Sequence, residues 1–122
     1  MIYLDTEVSV LRAHIAGAPA TTNPTYNVFF HEVRSQAKPT FEEYKGGRSS
    51  GLLSGATPVN ICAAPAKGIT RDIEHISIYN ADTASVVATV GIYDGTSWLL
   101  IVHTLTTLQT LCYEHGSGWS VL

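Results

Sequence analysis

The sequence predicts an all-β fold: a two-sheet β-sandwich, jelly-roll-like, of about eight or nine short strands. Three observations carry this. Apolar residues recur with period two almost throughout the chain. Clusters of Gly, Pro, Asn and Asp interrupt that pattern at short, regular intervals. No segment offers an apolar stripe at helical spacing. With 122 residues, 45% of them hydrophobic, the chain makes one domain, residues 1–122, with a core that needs no staples.

The elements follow in chain order. "MIYLDTE", residues 1–7, precedes the first clear pattern and reads as an arm that grips a partner. "TEVSVLRAHIAG" sets Val8 and Val10 against Leu11, Ala13 and Ile15. "PATTNP" is turn chemistry, because Pro fixes φ and Asn tolerates tight turns. "YNVFFHEV" is a β-branched and aromatic strand. Beyond it a short strand is expected at Thr40 to Tyr44. Residues 45–56, rich in Gly and Ser, read as a long loop, and such loops are commonly functional or ordered by a partner. "TPVNICAAP" carries Val59 and Ile61 on one face. "DIEHISIYN" places Ile76 and Ile78 on one face and Ile73 and Tyr79 on the other. "NADTAS" is a turn. "VVATVGIY" aligns Val86, Ala88, Val90 and Ile92. Asp94-Gly95 is a hairpin dipeptide. "SWLLIVHTL", "LQTLCYEH" and "GWSVL" complete the set. Trp119 and Val121 share a face, so the ending closes a sheet and a neighbouring subunit covers Leu122.

Charge narrows the function. Charged residues make up only 14%, below the usual level of about 25%. Low charge suits a surface partly covered by partners. Net charge is −3 and the seven basic residues lie apart, so the electrostatic footprint of a nucleic-acid binder is missing. No basic and apolar leader opens the chain, and no apolar run approaches the roughly 20 residues of a membrane span. No membrane is expected as a partner, and folding in a cytoplasm is. Cys62 and Cys112 are expected as buried free thiols.

Catalytic constellations are sparse. His14, His31, His75, His103 and His115 form no local pair at metal-ligand spacing, so only pairing of distant strands could bring His75 and His103 together. Glu42 and Glu43 are adjacent and would point to opposite faces of a strand. Asp72 and Glu74 would face the same way. Their bland role is a solvated face paired with Arg71, and their sharp one a glycosidase pair. "GGRSSG" lacks the residues and context of a phosphate-binding loop. Tyr79, Tyr93, Trp98 and Tyr113 fall in neighbouring strands, as cross-strand packing or as a row that stacks sugars. The expectation is therefore no enzyme, no catalytic residues, no cofactor and no metal.

The segments "TPVNICAAPAKGITRDIEHISIYNADTASVVATVGIYDGTSWLLIVHTL" and "LQTLCYEHGSGWSVL", with the earlier "AGAPATTNPTYNVFFHE", resemble small virion structural proteins of tailed bacteriophages, of the capsid decoration (cement) or head- and tail-fibre type. The resemblance implies a structural, non-enzymatic protein present in many copies in a virion and made in the host cytoplasm. A capsid decoration protein would bind other virion proteins, the major capsid protein first, and assemble as a homodimer or homotrimer. A receptor-binding module for a host glycan is the alternative, and a small carbohydrate-active enzyme a third reading. The contact residues expected for subunit or capsid are Tyr3, Leu4, Arg48, Leu52, Leu53 and Leu122. The expected core and closure residues are Ile76, Ile78, Val90, Ile92, Trp98, Leu100, Trp119 and Val121.

Overall fold

The computed structural model describes residues 1–34 and 44–122. Ten strands are formed among them: β1 (Ile2–Leu4), β2 (Val10–Ile15), β3 (Thr25–Arg34), β4 (Tyr44–Leu52), β5 (Val59–Cys62), β6 (Ile69–Tyr79), β7 (Val86–Tyr93), β8 (Ser97–Leu105), β9 (Thr110–Glu114) and β10 (Gly118–Val121). They build two antiparallel sheets packed face to face. The first runs β10-β9-β6-β3-β4 and the second β5-β2-β7-β8. One edge of β6 serves two partners in succession: β1 pairs with Arg71–Ile73 and β9 with His75–Tyr79. The expected fold class is met, with ten strands against the eight or nine expected; β1 and all of β4 beyond Tyr44 lie where no strand was expected.

The core is the alternation made solid. Leu11, Ala13 and Ile15 from β2 meet Ile76 and Ile78 from β6, with Val90 from β7 and Leu111 from β9 filling between them, all at most 1% exposed. Each fully buried aliphatic side chain contributes about 1.5–3 kcal/mol of transfer free energy. Ile92, Leu100, Trp119 and Val121 pack on the margin of this cluster, half-buried. At one mouth of the sandwich Arg71 bridges the layers. Its guanidinium donates to Glu32 Oε1 from Nε at 3.1 Å and Nη2 at 3.0 Å, and to the Ala63 carbonyl at 2.7 Å.

Five expectations are corrected. The segment 45–56 is not a loop for most of its length, because β4 occupies Tyr44–Leu52. Its glycines leave room for rings: a Cβ at Gly47 would meet the Phe30 ring at 2.4 Å, and one at Gly51 the Tyr26 hydroxyl at 2.7 Å. Phe30 and Tyr26 are their direct partners across the β3–β4 ladder, so the rings supply the cover that glycine lacks. The strand expected at Thr40 to Tyr44 lies outside the described residues except for Tyr44. Leu53 is fully buried, its N–H donating to the Pro24 carbonyl at 2.9 Å, and cannot contact a partner.

Leu4 is likewise fully buried. The N-terminal arm is drawn into the first sheet, Ile2 opposite Ile73, so that Ile2 and Leu4 point inward and Tyr3 outward. Trp98, expected in the core, is 57% exposed. It sits on an edge strand next to the Asp94-Gly95 turn and donates its indole N–H to Asp94 Oδ1 at 3.1 Å. Ile73 shares the inner face with Ile76 and Ile78 because a β-bulge intervenes. The register passes from Phe29 opposite His75 to Phe30 opposite Ile73, leaving Glu74 unpaired.

Trp119 faces Tyr113 across the β9–β10 hairpin with ring centroids 5.2 Å apart. Full burial would make its truncation cost about 3–5 kcal/mol. Half-buried, Trp119→Ala is expected to cost about 2 kcal/mol, read as a lower urea midpoint at unchanged slope. An unchanged midpoint would show that the ring contributes nothing to the fold.

Candidate functional site

The outer face of the first sheet gathers histidines and carboxylates. The bulge does this. Asp72 and Glu74 point outward by ordinary alternation, and the extra residue sends His75 outward as well, before Ile76 turns in. His31 stands directly opposite Asp72 on β3. Its Nδ1 lies 2.5 Å from Glu74 Oε1 and its Nε2 3.4 Å from Asp72 Oδ2. His115 approaches the same carboxylate from the turn after β9, held there by its backbone N–H on the Glu74 carbonyl at 2.9 Å. Its Nδ1 lies 3.4 Å from Asp72 Oδ1. Beside this group His75 Nδ1 pairs with Glu114 Oε1 at 2.7 Å and its ring tilts against Phe29.

Asp72 is the least accessible member, 8% exposed. Glu74 lies at the rim with 41% of its side chain exposed. Among the described residues, Asp72 Oδ1 and His115 Nδ1 are buried without a hydrogen-bond partner. One ligand atom from each of His31, Asp72 and Glu74 falls within 4.8 Å of the others. Arg71, the expected charge partner of Asp72 and Glu74, is turned to Glu32 instead. His75 and His103 stand in different sheets and form no pair.

The second sheet presents a different surface. β8 is its edge, bonded to β7 on one side only. Trp98, Leu99 and Val102 are 57%, 67% and 51% exposed along it. Leu99 and Trp98 border a shallow cleft of about 180 Å³ that also takes in Arg12, His14, Gly91 and Tyr93. Gly91 keeps the strand pair close, since a Cβ there would stand 2.7 Å from the Trp98 carbonyl oxygen. The Arg12 guanidinium covers the Tyr93 ring at 3.9 Å and its Nε donates to Asn60 Oδ1 at 3.0 Å. The four aromatics read as one row are divided: Tyr79 and Tyr113 belong to the first sheet, Tyr93 and Trp98 to the second, and Tyr113 is buried.

At one end of the sandwich Asp82 ties two turns together. Its Oδ2 accepts the Ala20 N–H at 2.8 Å. Its Oδ1 accepts the N–H groups of Thr21 at 2.8 Å, Thr22 at 3.1 Å and Thr83 at 2.9 Å, with the Thr21 hydroxyl at 2.9 Å. Burial pushes its carboxyl up, but these donors outweigh that and hold it well below the usual carboxylate range. Cys62 and Cys112 are free and buried. Burial raises both thiols, in Cys62 against the opposing pull of Arg71, so neither is activated as a nucleophile.

Of the expected contact residues, Tyr3, Arg48, Leu52 and Leu122 are exposed and dispersed over the first sheet. Ile76, Ile78 and Val90 are in the core as expected. Sequence reasoning paired Asp72 with Glu74 but missed His31 and His115. The signal available was the polar run "TRDIEH" inside an otherwise apolar strand, which is what a bulged strand with a crowded outer face looks like. None of the protein-family models, curated proteins or solved structures compared with the chain matches it.

Proposed function

We propose that this chain is a non-enzymatic structural protein of a bacteriophage virion, a capsid decoration protein that joins other virion proteins as a dimer formed through β8. The observation that carries the reading is the long, uncharged edge of the second sheet. Edge strands are normally blunted by shortness, charge, Pro or a bulge. β5 and β10 have four residues each, and β4 carries Lys45 and Arg48 among its glycines. β8 is nine residues long, without Lys, Arg, Asp, Glu or Pro, and Trp98, Leu99 and Val102 are large apolar side chains exposed along it. A single bulge opposite Val90 and Gly91 interrupts it.

A second copy of the chain is the occupant that suits this edge. Two copies each of net charge −3 repel, and a neutral apolar strip is where they meet without opposing like charges. Antiparallel pairing of β8 with its own copy is isologous and closes the assembly, as two-fold symmetry requires. The low charge of the whole surface supports contact with further proteins such as the major capsid protein.

The test is composition and stability of purified particles. Many copies per particle, with capsids that open at lower temperature when the protein is removed, are expected. Its absence from particles would refute the assignment. A second reading, a glycan-binding module, is favoured by the open Trp98 ring beside the 180 Å³ cleft. Arg12 already covers Tyr93, leaving one ring rather than a platform. A few copies per particle and lost adsorption with intact capsids would favour it.

A further inference from the structure

The second feature of the molecule is the histidine–carboxylate group on the opposite outer face, which an assembly role through β8 leaves unexplained. We propose that His31, Asp72, Glu74 and His115 form a binding site for one divalent transition metal ion of the zinc class.

Donor chemistry is the first argument. Imidazole nitrogen with carboxylate oxygen is the set that borderline divalent ions take, and two histidines with one carboxylate give three protein ligands and leave the fourth tetrahedral position to water. Distance is the second. Donors bonded at about 2.0–2.1 Å in a tetrahedron lie about 3.3–3.4 Å apart. His31 Nε2 stands 3.4 Å from Asp72 Oδ2, and His115 Nδ1 stands 3.4 Å from Asp72 Oδ1. These separations are long for charge-assisted hydrogen bonds, which run at about 2.7–2.9 Å; each runs to its own oxygen of Asp72, so an ion held by that carboxylate beside His31 would draw His115 in from the Oδ1 side. Burial is the third argument. Asp72 is 8% exposed and its Oδ1 faces a buried His115 Nδ1, both without a hydrogen-bond partner among the described residues. With the His115 proton on Nε2, two lone pairs confront each other across that gap, and a cation placed between them satisfies both.

The 2.5 Å contact from His31 Nδ1 to Glu74 Oε1 gives Glu74 its place. It is too short for two ligands on one ion and right for a hydrogen bond. Glu74 therefore accepts the Nδ1 proton and turns Nε2 toward the ion, as carboxylates behind metal-bound histidines do. Asp72 and His115, with His31 Nε2, bind directly. Glu74, at the rim, is the positioning residue.

The test uses the full chain freed of metal with a chelator. Zinc chloride is titrated calorimetrically, and cobalt(II) chloride is followed by its visible absorption. One equivalent of zinc is expected to bind with a micromolar constant, and cobalt to show the intense bands of low-coordinate nitrogen and oxygen ligation. His115→Gln should abolish the cobalt bands. Glu74→Gln, at an exposed position that the fold does not need, should weaken zinc about tenfold or more while the far-ultraviolet circular dichroism is unchanged. His75→Gln, on the same face but outside the site, should bind as the parent does. Zinc binding weaker than millimolar would overturn the proposal, leaving His31 as a bridge between two carboxylates. So would equal affinity in the parent, His115→Gln and Glu74→Gln, or a loss in His75→Gln as large as theirs.

Discussion

A chain carrying Leu99→Lys together with Val102→Lys is expected to sediment as a monomer at concentrations where the parent sediments as a dimer. Both side chains are more than half exposed on β8, at 67% and 51%, so neither charge has to enter the core and the fold should survive. Two lysines per strand place four like charges at a two-fold contact. Like charges juxtaposed across an interface cost several kcal/mol, and each 1.4 kcal/mol is tenfold in the association constant. The expected loss is therefore at least about a hundredfold. Lysine is also the residue that natural edges use to refuse pairing. The measurement is sedimentation velocity over a concentration series, with thermal melts to show that the monomer is folded. A parent that is monomeric throughout, or a double variant that remains dimeric, would remove β8 as the self-association edge.

Asp82→Asn is expected to be the most damaging single polar substitution, lowering the melting temperature at neutral pH by on the order of 10 °C. An asparagine keeps one acceptor oxygen for Thr21, Thr22 and Thr83. It aims its amide at the Ala20 N–H, donor against donor, at a site where Asp82 is 1% exposed. The pH dependence identifies the cause. The folded state holds this carboxyl below its ordinary value of 3.8. Its contribution is therefore complete above that value and is lost progressively as pH falls through and below it toward the folded value. The gap in melting temperature between parent and variant should be full at pH 7 and shrink steadily below about pH 4. A gap that stays constant down to pH 2 would mean that packing, not charge, is what the substitution disturbs.

Much of the fold was legible because burial on one face writes itself as period two. Leu11, Ala13 and Ile15 announce β2, and Val86, Ala88 and Val90 announce β7, since each must alternate to reach the core. The β4 strand was illegible for a reason equally physical. Its side chains at Gly47 and Gly51 are supplied by Phe30 and Tyr26 from the neighbouring strand, so the pattern that marks a strand is written in β3. Trp98 misled because hydrophobicity alone does not separate a core residue from one on an open edge. The histidine–carboxylate group was half legible. Asp72 and Glu74 are two apart in one strand, whereas His31 and His115 come from 41 residues before Asp72 and 43 after, joined only by strand pairing that no local spacing reports.

The bulge at Glu74 also makes β6 unequal in how it tolerates a lost residue. Elsewhere along the strand, removing one position acts like a frameshift in the pleat: everything beyond it changes sides, and Ile76 and Ile78 would trade the core for solvent. Glu74 is already supernumerary, so its removal restores strict alternation, with Asp72 and His75 outside and Ile73 and Ile76 inside as before. The strand thus carries one dispensable letter. A lineage that dropped it would keep the sandwich and forfeit the carboxylate beside His31, so the architecture and the outer-face chemistry can be inherited separately.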